Sequence, residues 1–276
     1  MDSSTDNSAV TFSIDERNIA QLSLNRPEKH NAFDDQMIAT LRQHFDFLHQ
    51  STDVRMLIIQ SAGQSFCAGA DVAWMLRMAE YSYADNLRDA RALAEMLQQL
   101  KTLPMPTIAR VQGNAFGGAL GLISCCDIAI AAENALFGLT ETRIGLIPAT
   151  IGPYVIEAIG SRWARRLFLS AERFSASLAE RIDLIHESVS LDELDSRVAE
   201  ITDGILRNSP QALREAKNLV FDLAGREVDA EVMQDTSVRI ATLRVSSEGQ
   251  EGLQAFLQKR SPAWTVSALK ESQNDV

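Results

Sequence analysis

The sequence is poor in the residues that build metal centres, disulfide frameworks and nucleic-acid surfaces. It has three cysteines, Cys67, Cys125 and Cys126, and none falls in a C-x-x-C pair. An odd count without a secretory leader points to a reducing compartment and no disulfide framework. The four histidines, His30, His44, His49 and His186, are scattered, so no metal site is expected. Excess positive charge is missing too: the formal net charge is −11, which argues against general binding to nucleic acid or to an anionic membrane. The first eight residues carry neither the apolar core of a secretory signal nor the basic bias of a transit peptide, and a cytoplasmic protein is expected. The longest apolar run, residues 115–132, is interrupted by Asp127 and by Gly117, Gly118 and Gly121. A membrane span needs about 20 mainly apolar residues, so this run is read as buried core. There is no fixed-period repeat and no low-complexity segment.

What is present is enough apolar material for a substantial core. Hydrophobic residues make up 46% of 276 and charged residues 23%, which suits one large domain or a core with a small subdomain. Val10, Phe12 and Ile14 alternate with polar residues, and the apolar pattern resumes over 19–24 after a turn, which predicts a β-hairpin. A loop, NRPEKHNAF, leads to Asp34 and Asp35, either of which can cap a helix carrying Met37, Leu41, Phe45 and Leu48 on one face. Residues 55–60 read as a buried strand and 65–71 as a loop. Two helices follow, one through Trp74 and Met78 and one through Leu93, Leu97 and Leu100, the second ended by Pro104 and Pro106. A strand at 107–111 enters a glycine-rich turn. Strands at 128–131 and 135–137, helices at 161–169 and 176–182, and a strand near Val189 complete the first part. Beyond Asp192 the pattern is helical, with Asn208-Ser209-Pro210 as a helix start. Strands among helices followed by helices alone predict an α/β (α+β) fold: a core over 1–203, a helical region over 204–266 and a disordered tail over 267–276.

Three stretches carry candidate chemistry: SFCAGAD (65–71), GNAFGGALGLISCCD (113–127) and FGLTETRIGLIP (137–148). The glycines of the second miss the G-x-G-x-x-G spacing of a dinucleotide fingerprint, and no Gly-Lys-Ser/Thr follows to make a P-loop. Ser65 has Cys67 rather than glycine two residues on, so it is no nucleophile elbow. The first two stretches each offer a backbone N–H at a helix start, at Ala70 and at Gly118, and two converging donors would make an oxyanion hole. Taken singly, either turn reads first as a way to pack a helix closely on a strand. Glu141 sits among apolar neighbours, where withdrawal from water would raise its pKa and suit it to proton transfer. On periodicity alone it reads first as half of a salt bridge with Arg143.

Together these stretches resemble the crotonase (enoyl-CoA hydratase/isomerase) superfamily over nearly the whole chain. LNRPEKHNAF resembles its N-terminal signature, SFCAGAD its first oxyanion loop, and VQGNAFGGALGL with CDI its second loop and buried helix. FGLTETRIGLIP resembles the segment of the catalytic acid, and EGLQAFLQKRSPAW the C-terminal helix. The resemblance implies a spiral of ββα turns with a helical C-terminal region used for trimerisation, as a homotrimer or dimer of trimers. It implies an acyl-CoA thioester substrate whose oxygen is bound by the N–H groups of Ala70 and Gly118, with Gly117 beside them, and Glu141 as acid/base. It implies CoA contacts at Lys29, Ala68 and Asp71, with Phe256 and Lys259 closing over CoA. No cofactor is implied beyond the coenzyme A of the substrate. The hydratases of the family use a second glutamate, at the position that is Gly121 here.

SFCAGADVAWM, GNAFGGALGLISCCDIAIAAE, IGLIPATIGPYVIEAIG and SSEGQEGLQAFLQKRSPAW resemble more closely the bacterial methylglutaconyl-CoA hydratases of leucine and isovalerate breakdown. In that branch Gly121 is a subfamily trait. The substrate's second carboxylate implies a basic partner, for which Arg143 and Arg77 are candidates. The leading expectation is therefore hydration of an α,β-unsaturated acyl-CoA, 3-methylglutaconyl-CoA. The rival is a double-bond isomerase with Glu141 as sole acid/base, favoured by Gly121. A third reading, a non-catalytic acyl-CoA-binding or RNA-associated relative, is disfavoured by Glu141, by both turns and by the acidic charge. Asp183 stands where relatives have glycine, and a local backbone cost is expected there.

Overall fold

The computed structural model describes residues 8–268; the first seven residues and 269–276 lie outside them, and with them most of the tail expected to be disordered. The chain folds as two compact units, one of the chain up to Leu103 with Thr107–Val198, the other of Pro104–Pro106 with the chain from Ala199 onward. The sequence reading put the change near residue 203 and kept the two prolines with the core.

The first unit starts with the hairpin of β1 (Val10–Ile14) and β2 (Ile19–Leu24), whose strands pair antiparallel. Asp34 is the residue that caps α1 (Asp35–Gln50): its side chain accepts the Met37 N–H, and Met37, Ile38, Leu41, Phe45 and Leu48 are buried. β3 (Met56–Ser61) joins the same sheet, and β4 (Ser65–Cys67) starts a second one. α2 (Val72–Glu80) and α3 (Tyr83–Lys101) follow, α3 fixed at its start by a reciprocal Ser82–Asp85 capping box. Then β5 (Thr107–Val111) enters the first sheet, β6 (Asn114–Phe116) the second, and α4 (Gly118–Cys125) runs through the core. β7 (Ile128–Ala132) and β8 (Leu136–Gly138) repeat the move, followed by α5 (Gly152–Ser170). β9 (Arg173–Ser175), α6 (Ala176–Arg181) and β10 (Glu187–Val189) close the unit.

The first sheet has the order β1-β2-β3-β5-β7-β10 and is parallel from β2 onward; the second is β4-β6-β8-β9, parallel but for β9. Each of β3–β4, β5–β6 and β7–β8 is thus a strand in one sheet, a short strand in the other and then helix: a ββα turn used repeatedly. The parallel strands read as near-continuous apolar runs because both faces are covered; in β3 five of six residues are buried.

Four local expectations are corrected. β4 falls in a stretch read as loop, β6 in one read as turn, and β9 in one left unassigned; all are three residues long, too short to show a period of two. α5 begins at Gly152 rather than 161: Pro153 is tolerated in its first turn, and Gly160, at φ 72° and ψ 157°, kinks the helix where the sequence pattern breaks. Asp183 does take the left-handed conformation, with φ 64°.

α7 (Leu194–Leu206) crosses from one unit to the other. The second unit holds α8 (Pro210–Leu223), α9 (Ala230–Val245), α10 (Ser247–Gln258) and α11 (Ala263–Ala268). Ser209 caps α8, accepting the Ala212 N–H at 3.0 Å, and residues 267–268, placed in the tail by the sequence reading, end α11. Lys217 Nζ donates to Met105 O at 3.1 Å, which ties the proline turn into this unit. Among the described residues no helix is long and apolar enough to cross a membrane.

Candidate active site

The loop after β4 is held from outside by the loop after β2. Phe33 N–H donates to Gly69 O and Asp71 N–H to Phe33 O, both at 2.7 Å, and Ala68 N–H donates to His30 O at 2.9 Å. Asn31, fully buried with φ 55°, staples the corner: its Nδ2 donates to Ala62 O and Ser65 O at 2.8 Å, and its Oδ1 accepts the Arg26 N–H at 2.8 Å. Sequence reading treated this residue as part of a loop.

Asp71 is held on both oxygens. Oδ1 caps α2, accepting the N–H of Ala73 at 2.8 Å and of Trp74 at 3.3 Å. Oδ2 meets Arg26 Nη2 at 2.9 Å and Lys29 Nζ at 3.0 Å, and Arg26 also binds Asp34. Burial acts to raise the Asp71 pKa, but Lys29 and the two capping N–H groups outweigh it and hold the carboxylate below its ordinary value. Lys29 and Asp71 are therefore partners of each other, and neither lines the cavity described below.

The second turn follows β6. Gly117 has φ 55° and ψ −121°, a conformation that only glycine takes readily, and its N–H donates to Gly138 O at 2.9 Å. A Cβ on Gly117 would stand 3.2 Å from Glu141 Oε1 and 3.8 Å from Gly69 Cα. A Cβ on Gly69, at φ 94°, would stand 3.2 Å from Phe116 O. The two glycine turns and the Glu141 carboxylate thus converge on one point, and side chains at 69 and 117 would push them apart. Among the described residues no acceptor takes the N–H of Ala70 or that of Gly118, the first residue of α4. The Gly118 N–H is one of the donors a helix start leaves over; Ala70, expected at a helix start, instead lies one residue before the Asp71 cap of α2.

Glu141 opens a 3-10 turn, Glu141–Ile144, that closes at Gly145 in the left-handed region and is anchored by Thr142 Oγ1 donating to Phe168 O at 3.0 Å. Its Oε2 is buried with no hydrogen-bond partner among the described residues. Burial pushes its pKa up, against a smaller opposing effect of its own backbone N–H. The salt bridge with Arg143 that periodicity favoured is not formed; Arg143 is exposed on the same turn.

Both turns, Glu141, Arg143 and Arg173 line a cavity of about 1090 Å³ within the first unit, together with Trp74, Met75 and Met78 of α2 and Asn86, Asp89 and Leu93 of α3. Ala68 and Gly117 line it as well. Arg173, which sequence reading passed over, stacks its guanidinium 5.0 Å from the centre of the Phe116 ring. Arg77 is removed from the candidates: it pairs with Asp35 and is absent from the cavity wall. Phe256 and Lys259 belong to the second unit, where Phe256 is 81% exposed and Lys259 is the left-handed residue ending α10.

At Gly121 the wall is filled from elsewhere. A Cβ there would fall 2.6 Å from Ile151 Cγ2 and 3.3 Å from Leu97 Cδ1, so the cavity-lining Ile151 occupies the space that a side chain at 121 would need. A second cavity, about 700 Å³, lies by His30, Ser65 and Gln112. There the Gln112 amide donates to the Ser61, Gly63 and Ser65 carbonyls at 2.9–3.2 Å, which braces the corner between the sheets. The buried Cys67 thiol is pushed up to about 12 by desolvation and is inert at neutral pH. Among the described residues no group of three or more His, Cys, Asp or Glu could hold a metal ion.

The arrangement can polarise a carbonyl by two N–H donors and move a proton beside it. A family profile described as enoyl-CoA hydratase/isomerase matches residues 15–267. A solved enoyl-CoA hydratase from Shewanella pealeana superposes with a TM-score of 0.89 at 45% identity, covering 93% of this chain and 96% of that one. A mevalonyl-coenzyme A hydratase of Aspergillus fumigatus is 33% identical over 256 residues, 91% of this chain and 93% of the relative. The 2,3-dehydroadipyl-CoA hydratase of Escherichia coli is 29% identical over 248 residues, 90% of this chain and 95% of the relative. With its repeated ββα turns and this site, the chain belongs to the enoyl-CoA hydratase/isomerase family, the crotonases, and is an acyl-CoA enzyme of that family.

Proposed function

We propose that the enzyme adds water to an α,β-unsaturated acyl-CoA, and that this substrate is 3-methylglutaconyl-CoA, an intermediate of leucine and isovalerate breakdown. The observation that carries the reading is Glu141: a carboxylate with a buried, unpartnered oxygen, held against Gly117 in the cavity that Ala70 and Gly118, each with an unpartnered N–H, also line. In this scheme the thioester oxygen accepts hydrogen bonds from Ala70 and Gly118. As the water oxygen bonds to the β-carbon and one of its protons passes to solvent, the π pair moves into the thioester and the enolate oxygen is stabilised by both donors and by the start of α4. Glu141, protonated more readily than an ordinary carboxyl, delivers its proton to the α-carbon. Removing one donor of this kind costs about 10²–10³ in kcat.

Arg143 supports the choice of a dicarboxylic acyl group: it lines the cavity on the same turn as Glu141, with no acidic partner among the described residues. A relative named 2,3-dehydroadipyl-CoA hydratase is consistent with that choice. Gly117 would lie along the bound thioester, Lys29, Ala68 and Asp71 would meet CoA, and Phe256 and Lys259 of a neighbouring subunit would close over it. Exposed apolar side chains of the second unit, among them Val220, Met233, Val245, Leu253 and Phe256, support a homotrimer or dimer of trimers as the working form. The scheme needs no cofactor beyond the CoA of the substrate.

The test is a panel of 3-methylglutaconyl-CoA, crotonyl-CoA and a 3-enoyl-CoA in heavy-oxygen water, read by product mass. The expected result is label in the hydrated methylglutaconyl product, and a KM for that substrate about tenfold higher in Arg143→Ala, the loss of roughly 1.4 kcal/mol of binding. The second reading, a double-bond isomerase, is favoured by Ile151 filling the space beside Gly121; it predicts moved double bonds and no label.

A further inference from the structure

The cavity wall contains a second carboxylate that the scheme above leaves unused. Asn86, Asp89, Ala90 and Leu93 line the cavity from α3, at the i, i+3, i+4 and i+7 spacing of one helix face. Asp89 Oδ2 accepts the indole N–H of Trp74 at 3.1 Å, and Trp74 is 6% exposed on α2, so the carboxylate is aimed by a buried donor. No cation pairs with Asp89 among the described residues, and it caps no helix. Asp85, one turn earlier, does both, capping with Ser82 and pairing with Arg88 at 2.8 Å. The α2–α3 connection that brings Trp74 and Asp89 together is tied by Asn86 Nδ2, which donates to the carbonyls of Tyr81 at 3.3 Å and Ser82 at 3.2 Å.

Around this carboxylate the proton acceptors are few. The wall at Gly121 is closed by the apolar Ile151. Thr140, Thr150 and Asn86 can hydrogen-bond a water but cannot keep its proton near neutral pH, and Arg143 and Arg173 only donate. Glu141 and Asp89 are the two carboxylates on the wall, and in a hydration Glu141 is the donor to the α-carbon.

We infer that Asp89 is a catalytic residue of this site: it takes the proton of the water that adds to the β-carbon, and Trp74 is its positioning residue. The inference rests on the hydratase reading. One O–H bond of water breaks towards Asp89 as the O–C bond forms at the β-carbon. The double-bond pair passes into the thioester as enolate, and the enolate takes the Glu141 proton at the α-carbon. Asp89 then loses its proton to bulk water and Glu141 regains one, so the net change is the addition of one water.

The experiment uses the full-length enzyme and two readouts: heavy-oxygen incorporation from an enoyl-CoA, and solvent deuterium incorporation at the α-carbon of a saturated acyl-CoA, which needs Glu141 and the two N–H donors but no added water. Asp89→Asn should slow hydration about 100-fold or more, with KM within about twofold and α-exchange at the wild-type rate. Asp89→Glu should recover part of the loss. Trp74→Phe should lower kcat about tenfold at unchanged KM. Hydration by Asp89→Asn at the wild-type rate overturns the assignment while leaving the hydratase reading intact. So does a fall in KM at constant kcat, which would make Asp89 a charge that selects substrates, or loss of hydration and exchange together, which would make it structural. A wild-type enzyme that exchanges α-deuterium but hydrates nothing overturns both readings.

Discussion

Replacing Gly121 by alanine probes the packing that leaves no side chain on α4 beside the acid. On the helix alone the change is favourable by about 1 kcal/mol, the usual gap between glycine and alanine. The new Cβ would, however, stand 2.6 Å from Ile151 Cγ2 and 3.1 Å from Ile151 Cβ. Ile151 is 2% exposed and sits at the start of α5, so it can yield only by turning off its rotamer towards the cavity it lines, and overpacking of this kind costs about 1–3 kcal/mol. The clash outweighs the helix preference, for a net loss of about 1 kcal/mol, or some 2–4 °C in Tm for a unit of this size. Ile151→Ala removes Cγ2 but keeps Cβ, so in that background the same substitution should cost nothing or stabilise. Urea unfolding of the four proteins should show a coupling of about 1–2 kcal/mol between positions 121 and 151. If Gly121→Ala stabilised the protein equally in both backgrounds, Ile151 would not be filling that space and the reasoning would fail.

Other outcomes follow from the same geometry. Glu141→Gln should lower turnover by about 10²–10⁴ and leave the circular dichroism spectrum unchanged. Because the folded pKa of Glu141 is raised, ionising it disfavours the folded state, so the wild type loses stability relative to Glu141→Gln as pH rises from the ordinary carboxylate range through the folded value; urea midpoints at pH 4 and pH 7 check this, with the gap larger at pH 7. Asp71 has the opposite sign: its depressed pKa stabilises the fold above the ordinary carboxylate range, and this is lost as pH falls through the folded value. Asp71→Asn should cost about 2 kcal/mol at pH 7, because Lys29 loses its carboxylate partner and Arg26 keeps only Asp34, measured as a drop in urea midpoint. Leu41→Ala, at a fully buried position of α1, should cost about 2–5 kcal/mol without changing KM.

How much of this was legible depended on whether the cause was local. The faces of α1 and α3 could be read because apolar spacing is set along the chain, and Asp34 and Ser209 announced their helices by their chemistry. β4, β6 and β9 could not, because a three-residue strand shows no alternation and exists by pairing with chain far away. The ββα turn repeats in space without a repeat in sequence, since α2 and α3 stand where the next turn has only α4. At the site, either glycine turn alone was ambiguous and became specific only beside the other and Glu141. Ile151 lies 30 residues beyond Gly121, just before a different helix, and its hold on that position is purely tertiary. Asn31 looked like loop composition yet is the fully buried staple of the first turn. Nothing in the neighbourhood of Asp89 distinguishes it from the surface acids of α3; only the indole of Trp74 does so.

In the proposed reaction the unpartnered N–H groups of Ala70 and Gly118 receive the oxygen of a CoA thioester beside Glu141. Infrared difference spectroscopy of a carbonyl-labelled, non-reacting acyl-CoA bound to the enzyme tests it most directly. The thioester carbonyl band should move to lower frequency on binding, in the wild type and equally in Glu141→Gln, because the donors are backbone groups. A bound thioester whose carbonyl absorbs as it does in water would contradict it.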